Sequence, residues 1–122
     1  SVREVELLNI SGATTLAMRR AIQRLAGRFD AGVDVILIDG RPVRGLGFEH
    51  VAVVDGDAKC YSVACASIVA KVTRDRLLAS LAGRHPAYAW DRNSGYGTAA
   101  HLEAIRTHGL TAHHRASFCH IP

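Results

Sequence analysis

Six consecutive residues, Val33-Asp34-Val35-Ile36-Leu37-Ile38, restrict the fold of this chain more than any others. Val33, Val35, Ile36 and Ile38 are β-branched, and only Asp34 is polar. Such side chains crowd the preceding turn of a helix but fit the pleat of a strand. A run that is apolar on both alternating faces expects cover on both, as a central strand of an α/β sheet receives. Asp39-Gly40 ends the run, and residues 40–48, with Pro42, Gly45 and Gly47, form a loop. A second strand is expected over about 50–54, closed by Asp55-Gly56-Asp57. Two strands set among helical segments give an α/β class.

The flanking segments have helical spacing. Ser1-Val2-Arg3-Glu4 has the form of a capping box and opens a short helix through about Leu8. Residues 9–12 break it, and a longer helix is expected from about Ala13 to Ala26, ended by Gly27. From about Lys59 to Leu81, Val63, Ala64, Ile68, Val72 and Leu78 can share one stripe, with Lys71 and Asp75 one turn apart. A long loop carrying Tyr88, Trp90 and Tyr96 follows over 83–97. Thr98 is a suitable cap for a last helix to about His108, stopped by Gly109. A chain of 122 residues suits a single domain, 1–122.

Charge and cysteine usage narrow the function. A net charge of +4 favours an anionic partner such as nucleic acid. Cys60, Cys65 and Cys119 form no C-x-x-C pair and no disulfide framework, which fits a reduced, cytoplasmic setting. His113, His114, Cys119 and His120 do not follow the spacing of structural zinc sites. No apolar run reaches bilayer-spanning length, so no membrane partner is expected.

Asp39 and Asp57 stand where α/β sheets bind ligands, beyond the carboxyl ends of strands. Taken singly, each is equally a turn or cap residue. Taken together on neighbouring strands, they could hold hard divalent cations through oxygen. Two such cations roughly 4 Å apart can activate a water and stabilise a leaving oxygen in phosphodiester hydrolysis.

The wider pattern is more specific. Ile36-Leu37-Ile38-Asp39-Gly40, Gly56-Asp57-Ala58-Lys59 and residues 66–75, Ala-Ser-Ile-Val-Ala-Lys-Val-Thr-Arg-Asp, come in an order and spacing that resembles ribonuclease HII. Gly95-Tyr96-Gly97-Thr98, His101-Leu102 and His114-Arg115-x-Ser117-Phe118 are similar to that family too. The resemblance implies a ribonuclease H-like fold, here truncated to two sheet strands and several helices. It implies an endonuclease that hydrolyses RNA in RNA/DNA hybrids, or cuts 5′ to a ribonucleotide in duplex DNA, leaving a 5′-phosphate. Mg2+ or Mn2+ would serve a two-metal mechanism, and the full-length enzyme would be a monomer. Carried over by motif, Asp39 and Asp57 are metal-binding and catalytic, and Tyr96 stacks at the junction between a ribonucleotide and the next deoxynucleotide. Lys59, Lys71 and Arg74 are candidate substrate contacts, being cations near such a site.

The family's other two metal ligands form an Asp-Glu pair ahead of a Gly-Arg-Gly loop, and neither sequence occurs here. The expectation is therefore an incomplete domain, inactive alone, with an open apolar sheet edge and poor solubility. The alternative is a non-catalytic remnant that still binds nucleic acid through its basic charge, Tyr96 and the loop aromatics Tyr88 and Trp90.

Overall fold

A computed structural model describes residues 1–28 and 32–119. The chain divides into two compact units, Arg3–Ser67 with Ser1, and Ile68–Pro122 with Val2.

In the first unit, α1 (Val2–Ala26) opens with the expected capping box, Ser1 and Glu4 exchanging hydrogen bonds. Asn9 interrupts it with φ 55° and ψ 177°. The Asn9 Oδ1 accepts the Gly12 N–H at 3.1 Å, so it caps a new helix that starts near Ile10 rather than at Ala13. A straight helix would hold Glu4 and Arg20 roughly 24 Å apart. They form an ion pair at 2.6 Å, so the two halves fold back on each other at Asn9. The expected pair of helices is therefore present, with a one-residue break.

The sheet is smaller than the apolar run implies. β1 (Leu37–Asp39) pairs in parallel with β2 (Val51–Val53), Asp39 lying opposite Val53. The Val51 N–H donates to Ile36 O and the Gly40 N–H to Val53 O, which carries the ladder one residue past each end of β1. A strand over 33–38 covered on both faces is not what forms. Ile38 is buried, but Val35 is 62% exposed and Val51 54%. Among the described residues β1 pairs with β2 alone, so one edge has no strand beside it, and Leu37 remains 39% exposed. The connecting loop is held from α1: the Arg19 Nε donates to Leu46 O at 3.1 Å and its Nη2 to Gly45 O. Leu46 is fully buried beneath them.

The helix expected over 59–81 forms, preceded by a separate single turn that was not expected. α2 (Gly56–Lys59) is one turn, ended by extended backbone at Cys60, and α3 (Tyr61–Arg84) follows. Gly83 sits inside α3 instead of closing it. The expected apolar stripe is covered only at its ends: Val63 is buried and Leu78 half-buried, whereas Ile68 and Val72 are exposed. Lys71 and Asp75 pair at 2.7 Å, as their spacing predicts.

The second unit has its own core of Ala82, Tyr88, Trp90, Ala104 and Ile105. The region 83–97 is less a loop than a chain of turns: Pro86–Tyr88 forms a 3-10 turn and Trp90–Asn93 a short helix, α4. α5 (Ala99–His108) follows, with Thr98 capping it by accepting the His101 N–H and Gly109 ending it, as expected. Tyr88 and Trp90 stack with ring centroids 5.3 Å apart and planes 18° from parallel. His85, His101, His113 and His114 surround them.

This histidine cluster gives the second unit a pH dependence. His114 is buried, its Nδ1 faces the Thr111 N–H at 3.0 Å, and its Nε2 has no hydrogen-bond partner among the described residues. Burial, then the neighbouring His101, push its pKa below the ordinary 6.5. The unfolded chain then takes up a proton at pH values where the folded chain refuses it. Stability is complete above pH 6.5 and is lost as pH falls from there toward the lowered pKa. We expect a lower Tm at pH 5 than at pH 7.5, and a flatter profile for His114→Gln. Equal slopes for the two proteins would contradict the assignment.

Candidate functional site

Parallel pairing brings the carboxyl ends of β1 and β2 to one place, and the two aspartates follow from it. Asp39 is the last residue of β1 and is solvent-accessible. Its Oδ1 accepts the Gly56 N–H at 2.7 Å, which sets the carboxylate against the backbone immediately before Asp57. Asp57 lies in the first turn of α2 and is also accessible. The expected convergence of the two strand ends is thus met at the level of backbone and of the Asp39 side chain. Asp39 is more than a turn residue, since it ties one strand to the start of the next helix.

Gly56 is the residue that sequence reasoning passed over as the mere end of a strand. It is buried, and a Cβ there would stand 3.1 Å from the Asp39 Oδ1, 3.2 Å from the Val63 Cγ1 and 3.4 Å from the Asp39 Cα. A side chain there would force the carboxylate or its neighbours to give by a few tenths of an ångström. The signal was a glycine between two aspartates. Gly56→Ala is expected to cost about 1–3 kcal/mol by overpacking. Chemical denaturation would measure this, and an unchanged midpoint would refute the crowding.

The remaining candidates divide between the two units. Lys59 ends α2; its Nζ donates to Val54 O at 2.7 Å and pairs with Asp55 at 3.5 Å. Asp55, in left-handed backbone at φ 56°, thus sets an acidic side chain on that lysine. In the second unit, Lys71 is held by Asp75, and the Arg74 Nη2 donates to Ser94 O at 2.8 Å. Tyr96 is 69% exposed, unlike Tyr88 and Trp90, which are core residues. Asn93, absent from the expected site, is buried: it donates to Tyr88 O at 2.6 Å and accepts the Gly95 N–H at 2.9 Å.

A groove of about 810 Å³ in the first unit lies elsewhere. It is bordered by Ile36, Leu46 and Val51, toward the amino ends of the strands. Its histidine is already engaged, since the His50 Nε2 accepts the Val43 N–H and its Nδ1 contacts Phe48 O. The carboxyl ends, with two accessible carboxylates, offer the stronger chemistry.

The family model described as Ribonuclease HII matches residues 1–121. The chain belongs to the ribonuclease HII family. Among named ribonuclease HII relatives, that of Gluconobacter oxydans is 49% identical over 121 residues, covering 99% of this chain and 56% of that protein. Ribonuclease HII of Cereibacter sphaeroides is 51% identical over 119 residues, covering 97% of this chain and 54% of its own length. Ribonuclease HII of Magnetococcus marinus is 52% identical over 119 residues, covering 97% and 55%. The chain therefore spans about half the length of the ribonuclease HII relatives it matches. Its mixed architecture, mostly helices with a two-stranded parallel sheet, is consistent with a truncated ribonuclease H-like fold.

Whether the carboxylates suit divalent metal depends on donor type and number. Carboxylate oxygen is the right donor for Mg2+ or Mn2+. The number falls short. One oxygen of Asp39 already accepts the Gly56 N–H, and among the described residues no group of three or more His, Cys, Asp or Glu comes together to hold a metal. His120, one of the histidines weighed for zinc, lies outside the described residues. No helix of the described residues is long and apolar enough to cross a membrane.

Proposed function

We propose that this chain is the carboxyl-terminal portion of an endoribonuclease acting on RNA/DNA hybrids and on ribonucleotide-containing duplex DNA. Cleavage falls 5′ to the ribonucleotide and leaves a 5′-phosphomonoester. The observation that carries this reading is the Asp39 carboxylate on the Gly56 N–H, one residue ahead of Asp57, at the ends of two parallel strands. Membership of the family and the names of its relatives support the substrate class.

In this reading Asp39 and Asp57 supply two of the carboxylates that hold Mg2+ or Mn2+, and the bound cations supply charge stabilisation and an activated water. Two carboxylates do not complete such a centre, so the remaining ligands come from the part of the relatives that this chain does not span. The isolated chain is accordingly inactive. Lys59 and Lys71 meet backbone phosphates, and Tyr96 stacks on the sugar where RNA gives way to DNA. Arg74 serves the substrate side as well. We place the whole enzyme in the cytoplasm as a monomer, and treat residues 1–122 as one incomplete domain of it.

A chimera tests the reading. The matching segment of the Gluconobacter oxydans relative is replaced by this chain, and the product is given a DNA duplex with one internal ribonucleotide and Mg2+ or Mn2+. The chimera should cut at the ribonucleotide while the 122-residue chain leaves the duplex intact. A cooperatively folded chimera that binds the duplex and never cuts it would replace the enzyme reading with the binding remnant. Turnover by the chain alone would overturn the incompleteness.

A further inference from the structure

We infer that Arg74 acts on the substrate through Tyr96, as a positioning residue that fixes the exposed ring, and not as a phosphate contact. The inference rests on the proposed role of Tyr96 at the ribonucleotide junction. An exposed ring on a turn discriminates a sugar only if its plane is held before substrate arrives. The backbone of that turn is held with unusual completeness. Buried Asn93 spans it, donating to Tyr88 O and accepting the Gly95 N–H. The Tyr96 N–H donates to Asn93 O and the Thr98 N–H to Tyr96 O, each at 2.8 Å. Ser94 and Gly95 are both left-handed, at φ 49° and 76°, which turns the chain sharply just before Tyr96.

None of those bonds touches the ring. The group that does is Arg74, one face of α3 being turned to the loop. Its Nη2 donates to Ser94 O at 2.8 Å, and its guanidinium carbon lies 5.7 Å from the centroid of the Tyr96 ring. A Cβ built on Gly95 would be 3.9 Å from the same Nη2, so the guanidinium lies against the turn itself. A planar cation bonded to a carbonyl and set over a ring restrains that ring. To reach a phosphate it would have to leave both partners. Lys71, one turn earlier, has neither contact and pairs with Asp75 instead.

The two roles differ in how binding responds to salt and to charge-conserving substitution. Affinity of the 122-residue chain is measured by fluorescence anisotropy for two duplexes that differ only in one ribonucleotide, across a salt series. Thermal melting checks the fold of each variant. Tyr96→Ala should abolish the preference for the ribonucleotide duplex. Arg74→Ala and Arg74→Lys should each reduce that preference by about two- to fivefold, the size of an exposed cation–π contact, with the salt slope unchanged. The double variant should lose no more than Tyr96→Ala. A phosphate contact behaves otherwise: Arg74→Ala weakens both duplexes equally and makes the salt slope shallower by about one, while Arg74→Lys is close to unchanged. That pattern overturns the inference and leaves Tyr96 in place. If Tyr96→Ala keeps the preference, or the unsubstituted chain has none, the reading of Tyr96 itself fails.

Discussion

Asp39→Asn in the chimera is expected to lower cleavage at least about a thousandfold, roughly 4 kcal/mol of lost transition-state stabilisation. The substitution is informative because it separates charge from architecture. The asparagine Oδ1 can still accept the Gly56 N–H that Asp39 accepts at 2.7 Å, so the link between β1 and α2 survives. What disappears is the negative charge beside the neighbouring strand end. Asp57→Asn, one residue beyond that same amide, is expected to do the same. Gel assays of a duplex with a single ribonucleotide measure both, and melting curves confirm that the variants stay folded. An Asp39→Asn chimera that cuts at the parent rate would remove Asp39 from the chemistry and leave it a helix tie.

Trp90→Ala should have the largest effect on stability, about 3–5 kcal/mol. Trp90 is 3% exposed and lies at the centre of the second unit, stacked on Tyr88 and flanked by His85, His101 and His114. Removing the indole leaves a cavity among Ala82, Ala104, Ile105 and the surrounding rings, of which Tyr88 and His101 cannot move into it without straining their own bonds. Tyr88 donates to Gly109 O at 2.9 Å, and His101 Nδ1 sits 3.1 Å from Tyr88 O. Against a total of roughly 5–15 kcal/mol for a domain, this loss should move the unfolding midpoint of the second unit sharply downward. Near-ultraviolet circular dichroism and urea titration are the measurements. A variant that keeps the parent midpoint would mean that the cluster packs against something other than Trp90.

Local signals carried well from sequence to structure where one or two side chains decide the geometry. The Ser1/Glu4 box, the Thr98 cap, the Gly109 stop and the Lys71–Asp75 pair all rest on short-range bonds between residues of one helix. The meeting of the two strand ends was legible too, since Asp39 closes β1 and its carboxylate reaches the Gly56 amide just beyond β2. Strand extent did not. The apolar run 33–38 has the pattern of a strand covered on both faces, but among the described residues β1 finds one neighbour and holds strand geometry over Leu37–Asp39. Composition cannot say how many neighbours a strand will find.

The second failure concerned the aromatics. Tyr88, Trp90 and Tyr96 look alike in sequence, yet two are core and one is exposed. The difference lies in Asn93 and in two left-handed residues that reverse the chain between them. Nothing in the spacing of the rings announces that reversal. Gly56 was hidden for a similar reason, since its importance is set by the carboxylate of a residue on another strand.

Parallel strands are usually joined by a helix, but here residues 40–50 make the crossing without one. Leu37 and Val51 therefore meet across a short stretch of chain, and the entropy of closing that loop grows only slowly with its length. Pairings between near neighbours are made quickly, so the end of β1 that carries Asp39 and the end of β2 that leads into α2 should come together among the first events of folding. A nascent chain would bring the Asp39 carboxylate to the Gly56 amide before pairings between more distant segments form.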